Sequence, residues 1–343
     1  MKRYGYLFEK ICTIENIAET HRNARKGKTH YREVQKIDRN PGKYFALIRS
    51  MLLDHTFRNS KYTVFKLYDS GKERIIHKLP YFPDRIIHHA IMQIIEPIWK
   101  NTLIKDTFSS IKGRGIHKGV RKLKAALTNE RATKYCLKLD ISKYYPSINH
   151  DVLKQIIRKK IKDPELLLLL DEIIDSAPGV PIGNYLSQYF ANLYLTEFDH
   201  WVKEELGIKW YFRYCDDLVI FGRSKERLRW VLSRVQFYIQ CFLKLRVKRN
   251  YQIFPIESRG VDFLGYVFRH NYVLVRRKIR DRCIKAIKGN IQDIHKGLTS
   301  YFGWFIHCNG YNLRHSLLNI SFQRRMRRHC WAMDLQNPIR RYI

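Results

Sequence analysis

Acidic residues are scarce in this sequence: 31 Asp+Glu stand against 65 Lys+Arg, a formal net charge of +34 over 343 residues. That imbalance excludes an ordinary near-neutral enzyme surface and points to a polyanionic partner. Long apolar runs are missing as well. The longest aliphatic one, Leu166 to Leu170, falls far short of the ~18 residues a bilayer-crossing helix needs. The opening MKRYGYLFEK has no signal-like apolar stretch, so no membrane association and a cytoplasmic location are the expectation. The seven cysteines (Cys12, Cys136, Cys215, Cys241, Cys283, Cys308, Cys330) form no CxxC pair, which argues against a disulfide framework or a zinc knuckle. Internal repeats, low-complexity tracts and Pro/Ser-rich linkers are absent too, so any subdomains should be joined by short connections.

What is present is enough apolar residue, 45%, to bury a substantial core, and this excludes a disordered basic tail. Charge concentrates at the two ends: residues 1–60 carry 13 Lys+Arg against 6 Asp+Glu, and residues 276–343 carry 15 against 3. Both ends read as nucleic-acid grips. In the middle, Tyr135 to Ile141 alternates, with Leu137, Leu139 and Ile141 on one face and Lys138 and Asp140 on the other, as in a half-buried strand. A helical pattern follows through Val152, Leu153, Ile156, Ile157 and Ile161. After the break at Pro178 to Pro181, the positions Leu186, Phe190, Tyr194, Phe198 and Trp201 predict a helix of about five or six turns.

Two β-prone runs, Trp210 to Tyr214 and Leu218 to Phe221, flank Cys215-Asp216-Asp217 and predict a hairpin whose turn carries two acids. A helix from Ser224 to about Phe242, a strand near Leu245 to Val247, and strands within Val261 to Phe268 and Tyr272 to Val275 complete the middle. The last stretch places Ile279, Cys283, Ile287, Ile291 and Ile294 in one helical stripe beside Arg276, Arg277, Arg280, Arg282 and Lys285. Asp140 at a strand end and Asp216 and Asp217 in a turn sit among residues that are otherwise apolar sheet. Acids so placed suit hard cations: two Mg²⁺ about 3.5–4 Å apart can activate an attacking hydroxyl and stabilise a leaving oxygen.

The segment Tyr214-Cys215-Asp216-Asp217, between Trp210-Tyr211-Phe212-Arg213 and Leu218-Val219-Ile220-Phe221, resembles the YxDD hairpin of reverse transcriptases. Leu139-Asp140-Ile141-Ser142-Lys143-Tyr144-Tyr145-Pro146-Ser147-Ile148 resembles their first-aspartate motif, and Phe263-Leu264-Gly265-Tyr266 their primer grip. Leu79 to Ile87 and Phe108 to Gly115 extend the likeness upstream, so that it covers about residues 60–270.

The resemblance implies an α+β fold of right-hand polymerase architecture. Its parts would be fingers with a basic N-terminal extension at 1–109, palm at 110–150, a fingers insertion at 151–180, palm at 181–274 and a helical thumb at 275–343. It implies a nucleotidyltransferase, an RNA-directed DNA polymerase with Asp140, Ile141, Asp216 and Asp217 at two Mg²⁺ ions, or Mn²⁺ as a substitute. Tyr145 would lie beneath the sugar and disfavour a 2′-hydroxyl. Arg74 or Lys72 would hold the triphosphate of the dNTP, and Ile141, Ile182, Gly183, Gln188 and Lys248 would complete the nucleotide site. Arg114, Ser187, Tyr214, Phe263, Leu264 and Gly265 would contact template and primer.

Within the family, Ile182-Gly183-Asn184-Tyr185-Leu186-Ser187-Gln188 departs from the usual Gln-Gly and Ser-Pro form and resembles the reverse transcriptases of diversity-generating retroelements. Lys248 to Pro255 and Gly260 to Tyr266 share that likeness, as does Ser300 to Cys308 in the thumb, whose core is expected to include Trp304, Phe305 and Tyr311. The implied activity is copying of a template-repeat RNA into cDNA from a DNA or RNA primer, with errors opposite adenine, together with a small accessory variability protein. Strand cleavage is expected to come from elsewhere. A group II intron-like or retron-type enzyme is the nearest alternative, and a catalytically inactive RNA-binding or phage-defence protein the one from another class. Arg324-Arg325-Met326-Arg327-Arg328 reads as a solvated charge run or as a docking arm.

Overall fold

The computed structural model describes residues 2–69, 71–288, 301 and 303–313. The apolar positions Ile291 and Ile294 and the run Arg324 to Arg328 lie outside them, as do the side chains of Lys72 and Ile287.

The chain begins with α1 (Phe8–Ile11), α2 (Ile14–Ala24), α3 (Arg32–Arg39) and α4 (Pro41–Leu53). Local chemistry sets their starts: Thr13 caps α2 by accepting from the Asn16 N–H, and Asn40 caps α4, which opens on Pro41. Strands β1 (Thr63–Asp69) and β2 (Lys72–Lys78) form an antiparallel hairpin, followed by α5 (Ile86–Thr102) and α6 (Ile116–Leu127). Next come β3 (Tyr135–Asp140), α7 (His150–Arg158), α8 (Pro164–Asp175), α9 (Tyr185–Tyr194) and α10 (Thr196–His200). The hairpin β4 (Tyr211–Tyr214) and β5 (Asp217–Gly222) leads into α11 (Lys225–Cys241), β6 (Gln252–Pro255) and α12 (Ile256–Arg259). The strands β7 (Val261–Phe263), β8 (Tyr266–Phe268) and β9 (Val273–Val275) precede α13 (Arg277–Lys288).

The central sheet is antiparallel, in the order β4-β5-β3-β6, and its two faces feed two cores. Leu137, Leu139 and Ile141 enter the larger core with Leu218 and Ile220, whereas Cys136 enters the second core with Val219 and Phe221. Lys138 and Asp140 share the Cys136 side of β3, because successive side chains alternate. The larger core draws its residues from Leu7 to Ile104 and again from Leu137 to Leu245, so the N-terminal helices, α5 and α9 pack as one body, while Phe108 and α6 join the second core.

Three expectations change. The long helix is interrupted at Leu195 (φ −97°, ψ 3°) and resumes as α10 and a π turn over Trp201–Glu205. At the break the Asn192 carbonyl accepts from the Thr196 hydroxyl and from the Arg213 guanidinium, both at 3.3 Å, in place of the helical N–H. The strand near Leu245 to Val247 reduces to a single bridge, Ile141 to Val247, because the chain turns away from the sheet at Lys143 (φ 43°). β6, further along, takes the edge position instead. Finally, Phe305 is buried with Val275 and Cys283, and Trp304 packs beside them, but Tyr311 is 63% exposed and outside that core. Among the described residues, no helix is long and apolar enough to cross a membrane.

α5 carries His88-His89 in its apolar run. His88 is 2% exposed, and burial pulls its pKa down to about 3 and that of His89 to about 4. The unfolded chain takes up these protons near pH 6.5 and the folded one only well below it, so folding is opposed as pH falls. Urea denaturation should therefore show these two histidines subtracting nothing above about pH 6.5 and up to about 1.4 kcal/mol each per pH unit below it, superimposed on the opposite trend of carboxyls whose pKa is raised by folding. The variant His88→Leu should flatten that slope.

Candidate active site

The register of the sheet brings the separated acids together. β3 and β5 pair so that Asp140 stands opposite Asp217, and the Ile141 N–H donates to the Asp216 carbonyl at 3.2 Å. Asp216 lies in the tight turn between β4 and β5, which Cys215 enters with φ 57°. Burial raises the Asp216 pKa first, and the nearby Asp140 carboxylate raises it further. Burial pushes Asp217 up to about 7, against the lowering pull of Lys138 and with added repulsion from Asp140 and Asp216. Two ammonium groups offset this charge: Lys248 Nζ donates to Asp140 Oδ1 at 2.6 Å, and Lys138 Nζ lies 3.6 Å from Asp217 Oδ2. Asp217 Oδ1 is buried and has no hydrogen-bond partner. Crowded carboxylates that draw in cations and leave an oxygen unpartnered have the chemistry a hard cation such as Mg²⁺ prefers, although among the described residues no three of His, Cys, Asp or Glu are drawn together closely enough to hold a metal ion as they stand. The Ile141 side chain is fully buried, so this residue can offer only its backbone.

A clamp that sequence reading missed holds the turn from below. Arg213 is fully buried and binds Asp199, also fully buried, through Nε at 2.9 and 3.0 Å and Nη2 at 2.7 Å. Its Nη1 donates to the Cys215 carbonyl at 3.0 Å and to Asn192 Oδ1 at 3.3 Å. Tyr211 donates to the same Asp199 carboxylate at 2.5 Å. An arginine in the middle of Tyr211–Tyr214, otherwise buried sheet, was the available signal, since a buried charge needs a partner.

Of the adjacent tyrosines, Tyr144 is buried and donates to the Ala191 carbonyl at 2.5 Å, while Tyr145 is half-buried with its hydroxyl accepting from Cys215 Sγ at 3.5 Å. Only Tyr145 is thus placed beside the acidic turn. Gly183 (φ 130°) is exposed, and an added Cβ would meet the His77 carbonyl at 2.6 Å, so its glycine is required by β2 itself. The neighbouring Ile182 carbonyl accepts from the His77 N–H at 2.8 Å, and Ile182 is half-buried. Ser187 is buried and Gln188 exposed, on successive positions of α9. Arg74 is exposed on β2, in the hairpin that also carries Lys72.

Other expected contacts are engaged elsewhere. Arg114 donates to the carbonyls of Leu103, Ile104 and Lys100, closing the C-terminus of α5. Tyr214 is half-buried, and burial raises its pKa. Phe263 and Leu264 are buried in the second core, and Gly265 (φ 84°) packs against Trp304, where a Cβ would lie 2.4 Å from the ring. Beside Gly183 a cavity of about 130 Å³ is lined by Lys28, Lys78, Arg85, His88, His89 and Asn184. Arg85 Nε, His88 Nε2, His89 Nε2 and Asn184 Nδ2 are buried there without partners. The sequence signal for these was weak, because His88-His89 reads as ordinary helix core.

The profile of the family described as "Reverse transcriptase (RNA-dependent DNA polymerase)" matches residues 60–268. Protein YkfC of Escherichia coli (strain K12) is 24% identical over 233 residues, covering 55% of this chain and 61% of that protein. The group II intron-encoded protein LtrA of Lactococcus lactis subsp. cremoris is 21% identical over 264 residues, 56% of this chain and 44% of that one. The chain thus spans roughly half the length of these two relatives. The Retron Ec73 reverse transcriptase of Escherichia coli is 23% identical over 265 residues, 70% of this chain and 81% of that one. Among solved structures, telomerase from Candida albicans in complex with a fragment of telomeric RNA aligns with TM-score 0.47 and 9% identity, over 73% of this chain and 55% of that one.

The clamp makes a direct prediction. Arg213→Met leaves Asp199 charged and buried without a counterion and should cost about 3–5 kcal/mol in urea denaturation. Pairing it with Asp199→Leu should recover most of that loss, because the uncompensated charge is gone.

Proposed function

The chain belongs to the reverse transcriptase family and has its right-hand polymerase fold, and on that premise we propose that it is an RNA-directed DNA polymerase extending a DNA or RNA primer with dNTPs. The observation that carries this reading is the convergence of Asp140, Asp216 and Asp217 at one end of the β3–β5 pair. Asp140, Asp216 and the Ile141 carbonyl would hold two Mg²⁺ ions, for which Mn²⁺ could substitute, with Asp217 as the auxiliary acid. Such ions activate the primer hydroxyl and stabilise the departing pyrophosphate. The chain's own side chains do the rest. Tyr145, beside the acidic turn, would close the space beneath the sugar and exclude a 2′-hydroxyl. Arg74 or Lys72, on the β1–β2 hairpin, would grip the triphosphate, a task for which a guanidinium fork is well shaped. Lys248 would face the same phosphates from its seat on Asp140. Ile182, Gly183 and Gln188 would complete the nucleotide site, and Ser187 and Tyr214, with the Phe263-Leu264-Gly265 turn, would shape the path of template and primer.

The finer reading is a mutagenic enzyme of a diversity-generating retroelement, copying a template-repeat RNA in company with a small accessory variability protein. Its support is Ile182 and Gln188, which replace the amide and the proline of the more usual motif. An amide that hydrogen-bonds the nucleotide penalises mispairs, and an aliphatic chain does not. A group II intron or retron role is the second reading, favoured by the similarity to LtrA and to the Ec73 enzyme. A near-duplicate repeat pair differing at adenines beside the coding region would select the first, and a ribozyme or branched RNA the second.

Primer extension on an RNA template with Mg²⁺ tests the core claim: Asp216→Asn should lower the rate by roughly a thousandfold or more, and retention of wild-type rate would refute it. Sequencing of the same products tests the finer one. Ile182→Gln should reduce misincorporation opposite template adenine without raising the overall rate, and an unchanged adenine error spectrum would remove Ile182 from the account.

A further inference from the structure

α11 lies on the side of the central sheet turned away from the acids. Its buried residues Leu228, Val231, Leu232, Val235 and Ile239 join the larger core with Leu137, Leu139 and Ile141, whereas Asp140 shares the opposite face of β3 with Cys136. Its outer surface is therefore separated from the catalytic cleft by the sheet itself. That surface is not an ordinary solvated helix face. Arg227, Trp230, Arg234 and Phe237 follow one another at spacings of three or four residues, which puts them side by side in a single stripe. Trp230 is 43% and Phe237 56% exposed, and the Arg227 guanidinium lies 4.1 Å over the Trp230 ring.

A solvated charge run accounts for the arginines but not for two large aromatic side chains held in water between them. Interleaved guanidinium and aromatic groups are what a nucleic acid selects, phosphates meeting the first and base faces the second. The surroundings agree in charge. Arg223 precedes the stripe and Lys244 follows it, both exposed, and Arg227 reaches the Leu206 carbonyl, bringing the turn that carries Lys209 alongside. The one acid on α11, Glu226, faces Arg229 at 3.9 Å. At the far end Phe237 and Arg234 border a groove of about 720 Å³ whose charge is mixed, with Lys159 and Lys160 beside Glu197, Glu204 and Glu205.

We propose that the Arg227–Trp230–Arg234–Phe237 stripe of α11 is a second RNA-binding surface on the back of the palm, holding a structured, non-templating part of the RNA. It rests on the reverse transcriptase reading for the identity of the polyanion. The stripe tethers RNA that is not being copied, independently of contacts in the cleft.

The test uses the full chain and two probes: an RNA hairpin with a single-stranded flank, without primer, and a short unstructured RNA template with its primer already annealed. Trp230→Ala should weaken hairpin binding about fivefold or more, and Arg234→Gln should reduce the slope of log affinity against log salt by about one. Arg227→Gln should act like Arg234→Gln. Extension of the annealed template-primer should stay at the wild-type rate for all three, and circular dichroism melting should confirm the fold. Unchanged hairpin affinity and salt slope in every variant would overturn the proposal and leave the stripe to a protein partner. Loss of extension in parallel with binding would also overturn it, since the residues would then belong to the cleft. If wild type binds the hairpin through the stripe but extends no primer, the second surface stands and the polymerase reading falls.

Discussion

Three carboxylates at the end of one sheet repel one another, and the structure around them reads as a set of answers to that repulsion. Lys248 neutralises Asp140 from one side and Lys138 approaches Asp217 from the other. The backbone is held as firmly as the charges are balanced. Arg213 ties the Cys215 carbonyl to the buried Asp199, and the Ile141 N–H is fixed on the Asp216 carbonyl, so the turn cannot relax by swinging one acid away. A buried ion pair is a weak source of net stability, but it is well suited to fixing a geometry that the exposed charges would otherwise disperse.

The central sheet separates two kinds of work. One face is covered by α5, α7, α9 and α11 through a continuous aliphatic core, which leaves the outer side of α11 available for contacts remote from the chemistry. The other face carries Lys138 and Asp140, and beyond them the β7–β9 sheet, whose turn at Gly265 is packed under Trp304. Phe263 and Leu264, buried in that second core, act as anchors of the turn.

The β1–β2 hairpin meets the Ile182-Gly183 segment in a short backbone contact, and the chemistry of that contact explains a residue choice. The Ile182 carbonyl accepts from His77, and Gly183 lies so close to the His77 carbonyl that no Cβ fits. The glycine of this motif is thus demanded by protein packing, independently of any need to let a nucleotide approach. The same contact couples the position of Ile182 to the hairpin bearing Lys72 and Arg74.

Much of this was legible before any coordinates. Alternation marked β3 and its two faces, the Cys215-Asp216-Asp217 turn announced a hairpin, and the family likeness singled out the three acids, because strand period and motif spacing are local properties of the chain. The break at Leu195, the disappearance of the strand near Val247 and the exposure of Tyr311 were not legible, since each depends on a partner distant in sequence. Sequence by itself determined the basic character, the α+β pattern and the acids that meet. Tertiary structure alone decided that Tyr145 rather than Tyr144 stands by the acidic turn, that Arg114 closes α5, and that Arg213 clamps Asp199. The physical reason is that a side chain's partner is set by which backbones pack beside it, and that is a property of the assembled layers, absent from any local window of sequence.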